Sequence, residues 1–265
     1  AANKDNSMPE GDDFTAEAIT PTFVLRQHVQ TFRGDVPTSG IANHIGKYGR
    51  GSEQDYLMEK KAIEIRTHVE AAALSVNPAV AASGSTAHKM AGLELYATSS
   101  AQHGAGGSTA ALTSGNLPTV APTDGTQRAL TQAIFTAGLR AGWENGLRPK
   151  TCFLTMSQKA VVDGFAGIAT KQINVDTAKM VVTPGVVNIY DWETGPIAFV
   201  AVLADRMRSR TLFVTDGKSI KRRTLRPISR KKIAATGDSE KEMFVTDTSI
   251  QVTNRIGVLK IADLS

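Results

Sequence analysis

One long helix-compatible run constrains the fold more than any other part of the sequence. From Ser52 to Val76, apolar residues recur at steps of four and three, which places them on one stripe of a helix of 3.6 residues per turn. Ser52 lies three positions before Asp55 and is of a type that caps helix N-termini. At 1.5 Å per residue such a helix spans roughly 37 Å, so it needs a long surface to pack against. The stripe consists of Met58, Ala62, Ile65, Val69, Ala72 and Val76.

Composition predicts an ordinary folded protein. With 265 residues, 41% hydrophobic and 21% charged, the chain can bury one large core or two smaller ones. Because Cys152 is the single cysteine, no internal disulfide can form, and we expect folding in a reducing, intracellular environment. The sequence has neither an apolar run near 18 residues nor a leader pattern at Ala1, which predicts a soluble protein without a membrane span or secretory signal.

Positive charge is concentrated in one stretch. The net charge is +5, but between Asp205 and Lys232 eleven basic residues stand against two acidic ones, so the remainder is net acidic. Such a stretch can contact nucleic-acid phosphates or acidic segments of a neighbouring subunit, or it can be a solvated strand pair. Because no aromatic residues are interleaved as a stacking platform requires, we favour the solvated or subunit-facing interpretation over direct DNA contact. We define the basic block as Lys221, Arg222, Arg223, Arg226, Arg230, Lys231 and Lys232.

The segment from Phe23 to Arg33 is predicted to be a strand with one apolar face. Leu25 and Val29 belong to an imperfect alternation of period two. A lone strand is marginal in water, and Pro37 restricts pairing further along the chain. Since no partner strand is evident nearby, we expect the partner surface to belong to another subunit.

The remaining elements follow an irregular order. Residues 79–125 are rich in Ala, Gly, Ser and Thr and are predicted to be extended loop with short ordered pieces. Thr126 is predicted to cap a helix to about Asn145, with Leu130, Ile134, Ala137 and Ala141 on its buried stripe. This order favours an α+β fold with two interleaved lobes. Other predicted elements are a helix at 157–168 and strands at 151–155, 181–190, 197–203, 211–215, 219–225, 242–245 and 249–253.

The sequence lacks the patterns that catalysis and metal binding require. Its five histidines are scattered, without the spacing of a metal site. The glycine-rich residues 104–107 lack the Gly-Lys-Ser/Thr ending of a phosphate loop, so flexibility is their expected role. Cys152 lies in an apolar strand and is expected to be a buried small hydrophobe rather than a nucleophile. We therefore expect no catalytic residues, no metal site and no cofactor.

A family resemblance rests on residues spread along the chain. Gln30-Thr31-Phe32-Arg33, Ser39-Gly40, Gly49-Arg50 and the long charged helix resemble the major capsid proteins of tailed bacteriophages with the Hong Kong 97 shell fold. The closing segment is the most specific part, with Leu225-Arg226-Pro227, residues 235–241 and Ile261-Ala262-Asp263-Leu264. The matching pieces reach from about Pro9 to the last residue, and they are similar to a branch formerly described as a domain of unknown function.

This resemblance implies an α+β capsid fold in four parts. They are an N-terminal segment with an extended loop at 1–51, a first part of the peripheral domain with the long spine helix at 52–120, an axial domain at 121–210, and a second part of the peripheral domain at 211–265. Family members carry a further N-terminal arm, so we expect Ala1 to fall inside the extended loop. In such shells that loop reaches over an adjacent subunit, which would supply the partner expected for residues 23–33.

The implied function is that of a major capsid protein. Hexamers and pentamers would form an icosahedral shell around packaged double-stranded DNA held by non-specific contact, assembled in the bacterial host cytoplasm and located in the virion, with no membrane contact. Portal, scaffolding and decoration proteins are candidate partners. The alternatives are an encapsulin-like cellular compartment, which shares the fold, and an enzyme or nucleic-acid-binding module, supported only by the basic block. The basic block is expected on the inner face or toward a subunit, and the candidate inter-subunit contacts are Phe23, Leu25, Val29, Phe32, Arg33, Asp35, Arg50 and Glu53.

Overall fold

The computed structural model describes residues 7, 10–11, 13, 22, 24–46, 48–49, 51–113, 116–165, 189–193, 195–234 and 237–265. The predicted contact residues Phe23 and Arg50, and most of the strand predicted at 181–190, therefore lie outside the described residues. The helices are α1 (Gly40–His44), α2 (Glu53–Ala73), α3 (Gln132–Glu144) and α4 (Met156–Asp163). The strands are β1 (Gln30–Ser39), β2 (Ser100–Gln102), β3 (Ala111–Leu112), β4 (Pro118–Val120), β5 (Thr151–Thr155), β6 (Ile189–Trp192), β7 (Gly195–Val202), β8 (Leu212–Thr215), β9 (Ile220–Ile233), β10 (Ser239–Val252) and β11 (Val258–Ile261).

A long three-stranded antiparallel sheet has the order β1-β10-β9. β1 pairs with β10 along its whole length, from Gln30 opposite Thr248 to Ser39 opposite Ser239. The expectation of a strand over residues 23–33 whose partner belongs to another subunit was therefore wrong on both points. The strand begins at Gln30, and its partner lies in the same chain about 200 residues away, where a local pattern cannot reveal it. Pro37 is compatible with this position because an edge strand leaves one row of N–H groups unpaired.

The predicted long helix is α2, and it covers one face of this sheet. Its N-terminus is as predicted, since the Ser52 hydroxyl accepts a hydrogen bond from Asp55 N at 3.4 Å, whereas its C-terminus is Ala73 rather than Val76. Phe32 of β1 packs with Ile65 and Val69 of α2 in a small core. α2 is thus held by packing against the strand that precedes it.

A mixed six-stranded sheet has the order β2-β11-β8-β5-β7-β6. β5 has the predicted bounds of 151–155, and β6 pairs with β7 as an antiparallel hairpin. β8 and β11 fall in the range predicted for the second peripheral part, yet they share this sheet with β5 of the predicted axial part. The division into domains therefore stays a prediction.

Helix α3 packs on the six-stranded sheet with a different face from the one predicted. It begins at Gln132, where the Thr131 hydroxyl accepts from Ile134 N at 3.3 Å, rather than at a Thr126 cap. Phe135 and Leu139 are its fully buried large side chains, whereas Ala137 of the predicted stripe is exposed.

A second core joins the two sheets, and the supposed loop region supplies much of it. Between residues 79 and 125, Leu93, Leu95 and Tyr96 are buried against Phe213 of β8 and Val252 of β10. The prediction of short ordered pieces was correct for the described part of this region, but the chain is packed rather than extended. β9 and β10 meet this core at one end only, so most of their 14-residue lengths project away from it.

Candidate functional site

The two faces of the three-stranded sheet have different chemistry. In β1 buried and exposed residues alternate, with Phe32 and Val36 turned toward α2 and Arg33 and Asp35 turned away. Directly paired residues of neighbouring strands point to the same face of a sheet. The register therefore extends the face of Arg33 and Asp35, which is turned away from α2, across β10 and β9. We call this the open face. Besides Arg33 and Asp35, its charged residues are Asp247, Lys221, Arg223, Arg226, Lys231 and Lys241.

The predicted contact residues do not form one cluster. Arg33 and Asp35 form an ion pair at 3.1 Å with 66% and 46% of their side-chain surfaces exposed, and Val29 is also exposed just before β1. Leu25 packs against the second core, and Phe32 is buried beneath α2. Glu53 lies at the first position of α2. Of these described residues, Leu25 and Phe32 stabilise their own chain instead of presenting exposed surface.

The basic block lies entirely on β9, and two of its arginines bind carboxylates. Arg226 Nε lies 2.9 Å from Asp247 Oδ2. Arg230 contacts Glu242 at 2.5 Å on β10 and Asp55 at 2.8 Å on α2. These cross-strand pairs hold β9 against β10 and α2.

The rest of the block is exposed to solvent. Arg222 Nε donates to the Thr248 hydroxyl at 3.2 Å, and Arg223 Nε donates to Gln251 Oε1 at 2.6 Å. Lys221, Lys231 and Lys232 are exposed. Part of the block thus stabilises the sheet, and the lysines remain available to a partner.

A buried ionic cluster lies against β11 of the six-stranded sheet, and sequence reasoning missed it. The carboxylate of Glu94 is 3.7 Å from Lys260 Nζ and 3.5 Å from the guanidinium of Arg208, and both Glu94 and Lys260 side chains are 1% exposed. Arg208 also donates two hydrogen bonds of 2.6 Å to Asp124. Burial raises the pKa of Glu94 and lowers that of Lys260, because each charge is removed from water.

This cluster extends to the glycine-rich stretch near residue 104. The Asp263 carboxylate accepts from Gly104 N at 2.9 Å and from Gly125 N at 2.8 Å, and it lies 3.5 Å from Arg210. A Cβ on Gly104 would lie only 2.1 Å from the carbonyl oxygen of Thr126. Close backbone approach therefore explains this glycine, and the expectation that the stretch serves flexibility was wrong there.

Neither a cluster of potential metal ligands nor a membrane-spanning helix occurs among the described residues. No group of three or more His, Cys, Asp or Glu side chains that could hold a metal occurs among them. Within the same residues, no helix combines the length and apolar character needed to cross a membrane. Cys152 is fully buried in β5, as predicted, and burial raises the pKa of its thiol well above the usual range.

Comparisons with known proteins give one consistent class. The family model of the SU10 major capsid protein matches residues 1–265. The fold is similar to the capsid of cyanophage A-1(L), with a TM-score of 0.59 and 12% identity over 89% of this chain and 77% of that chain. It is also similar to the structure of Mycobacterium phage Adephagia, with a TM-score of 0.54 and 10% identity over 90% of this chain and 73% of that chain. No match was found among curated proteins.

A cellular protein shares the fold as well. The SrpI encapsulin complex of Synechococcus elongatus PCC 7942 is similar, with a TM-score of 0.54 and 8% identity over 89% of this chain and 74% of that chain. These likenesses show that the chain has the Hong Kong 97-like fold. Because the family model spans the whole chain, the chain belongs to the SU10 major capsid protein family, and it is a structural protein of the virion capsid. The family, the fold class and the capsid function predicted from sequence are confirmed.

Proposed function

We propose that copies of this chain form the hexamers and pentamers of an icosahedral shell that encloses packaged double-stranded DNA. The observation that carries the proposal is a pair of different exposed apolar patches. They lie at opposite ends of the folded molecule. Contacts between unlike patches are heterologous, and such contacts generate closed rings when the rotation between copies is suitable. Rings of two sizes can then close a shell.

The first patch lies at the projecting end of the three-stranded sheet. It consists of Ile41, Ile45 and Tyr48, which follow β1 where Ser39 pairs with Ser239, and Ile41 is 67% exposed. Ile41 and Ile45 are one helical turn apart, since Ile45 N donates to Ile41 O at 3.1 Å, and exposed apolar side chains grouped in this way are typical of an interaction site.

The second patch lies at one end of the six-stranded sheet. Met156 and Leu203 flank the paired residues Thr155 and Val202, and they are 69% and 59% exposed. Val202 belongs to the core that holds the other end of β10. Since the 14 residues of β10 at about 3.3 Å each span roughly 45 Å, the two patches are separated by about the length of the sheet.

Further contacts belong to the same proposal. Val29, Arg33, Asp35 and Glu53 are candidate inter-subunit contacts from the described residues, and Phe23 and Arg50 are candidates from sequence alone. We also propose that the chain keeps the predicted peripheral and axial domains, has no catalytic role and assembles in the host cytoplasm. Its proposed partners are portal, scaffolding and decoration proteins and the enclosed DNA, held without sequence specificity.

Electron microscopy and sedimentation of the purified chain test this proposal. Closed particles with five-fold and six-fold rings are the expected product. A monodisperse monomer of 28.2 kDa with salt-sensitive affinity for DNA would contradict it and would favour a nucleic-acid-binding module.

The likeness to the SrpI encapsulin favours a second candidate, a cellular compartment. The contents of native particles discriminate the two functions. Double-stranded DNA inside them supports the phage shell, whereas an enzyme cargo without DNA supports the compartment. A terminase, portal or tail gene beside this gene would also decide for the phage shell.

A further inference from the structure

We propose that the second core contains a binding site for one small, neutral aromatic molecule. The site is a cavity of about 220 Å³ at the junction of the two sheets. Its walls come from the C-terminal end of α2, the turn around Leu93, β5 and β8 of the six-stranded sheet, and β9 and β10 of the three-stranded sheet. Because residues of a single chain line the cavity, the site is independent of the proposed assembly.

The cavity reaches into the buried interior of the molecule. Leu93, Thr215 and Ile250 form its inner wall, and they are 3%, 1% and 7% exposed. Leu74 and Ile220 also line it and are half-buried, so no large apolar side chain among the described lining residues is exposed. A protein partner covers exposed apolar side chains, whereas a small molecule passes between half-buried ones. The shape of the cavity therefore suits a small molecule.

Small residues explain why the surrounding side chains leave this space. Ala73 is the last residue of α2, and Thr151 lies opposite Thr215 in the pairing of β5 with β8. Gly217, in the turn between β8 and β9, has a φ of +70°, and nothing lies within 4 Å of a Cβ built on it. A side chain is disfavoured at that φ, so the turn cannot fill the space. Atoms that line a void lack dispersion contacts, and a molecule that fits supplies them.

The chemistry of the lining selects the class of ligand. Every described lining residue is uncharged, so an ionised ligand would lose its hydration without gaining a partner of opposite charge. Thr151 and Thr215 supply the only hydroxyl groups of that lining, which leaves one wall for a single polar group of the ligand. An apolar cavity of about 150 Å³ takes up benzene. A cavity of about 220 Å³ therefore accommodates one aromatic ring with a small substituent.

Thermal unfolding with benzene as the probe tests the site, at a protein concentration too low for assembly. At about ten times its dissociation constant, benzene should raise the Tm by about 3–6 °C, because it binds the folded chain and not the unfolded one. Benzoate has the same ring with a carboxylate and should leave the Tm unchanged at the same concentration.

Variants that fill the cavity show where benzene binds. Ala73→Leu should reduce the benzene-induced rise in Tm to below about 1 °C, since the larger side chain occupies the space. The matched control Ala160→Leu makes the same change at an exposed position of α4 and should keep the full rise. If Ala73→Leu does not fold, Ile220→Phe fills the cavity from the wall formed by β9 and should have the same effect.

Three results would overturn the proposal. They are a wild-type Tm that does not rise to saturation with benzene, an equal rise with benzoate, and an equal rise in a folded filled variant. Failure of the chain to form particles would leave this site unaffected and would count against the proposed assembly alone.

Discussion

At the scale of single residues, the least expected feature is the lysine in the middle of the last strand. Leu259 and Ile261 of β11 point into the core beneath α3, so Lys260 between them points to the other side, where Glu94 and Arg208 lie. Removing two charges from water is unfavourable, and their attraction offsets this only if the partners stay together. The pair therefore specifies the position of the 93–95 turn against the sheet.

We expect a double-mutant cycle to show this dependence. Glu94→Leu should destabilise the unassembled protein by about 3 kcal/mol, since it leaves the buried Lys260 without its ion-pair partner. Lys260→Met should cost less, because Arg208 still lies 3.5 Å from Glu94. The double variant should lose less stability than the two single variants together, with a coupling free energy of about 0.5–3 kcal/mol. Urea unfolding, carried out at a protein concentration too low for assembly, measures the free energy of unfolding of all three variants. Arg208 keeps its two bonds to Asp124 in every variant, so strictly additive losses would show that Glu94 and Lys260 act independently.

At the scale of elements, the contact between β1 and α2 depends on one small residue. A Cβ on Gly34 would lie 2.8 Å from Ile65 Cδ1 and 2.9 Å from Lys61 Cγ. Ile65 is 1% exposed, so its side chain has little room to move aside. The absence of a side chain at Gly34 therefore sets how closely the strand approaches the helix.

Gly34→Ala is expected to destabilise the protein by about 1–3 kcal/mol, because it inserts a methyl group into a filled contact. The control is Gly51→Ala, where nothing lies within 4 Å of the added Cβ, and its effect should stay within about 0.5 kcal/mol. Chemical denaturation of both unassembled variants checks this. Equal stability of the two variants would mean that α2 can shift away from β1 without lowering the free energy of unfolding.

Local patterns predicted some elements well and misplaced others for physical reasons. β5 and the N-terminus of α2 were correct because a short apolar run and a capping serine are local signals. The face of α3 was wrong because the prediction began at Thr126 instead of Thr131, and it passed over Phe135, whose burial depends on the sheet it meets. The partner of β1 could not be found locally, since pairing across about 200 residues leaves no periodic trace.

At the scale of the whole molecule, the resemblance gave the fold and function, but not the arrangement of charge. The buried cluster draws its members from four separate segments, around residues 94, 124, 208 and 260, and each reads in the sequence as an ordinary surface charge. The basic block was found as a sequence feature, yet its division between arginines that pair within the sheet and exposed lysines depends on the register of β9 with β10. Assembly contacts are harder still, because they depend on surfaces that one copy leaves exposed.

The patch of Met156 and Leu203 provides the clearest test of such a surface. Because both side chains are exposed in one copy, Met156→Ser/Leu203→Ser should change the unfolding free energy of the unassembled protein by less than about 1 kcal/mol. If assembly buries both side chains, each substitution removes about 1.5–3 kcal/mol of hydrophobic stabilisation from the interface. The two together should weaken the association between copies at least about a hundredfold. Sedimentation should then show unassembled chains at concentrations where the wild type forms particles. Ile63→Ser, a change to one exposed apolar side chain on α2, is the matched control and should assemble. Normal particles from the double variant would place the contact between copies elsewhere on the molecule.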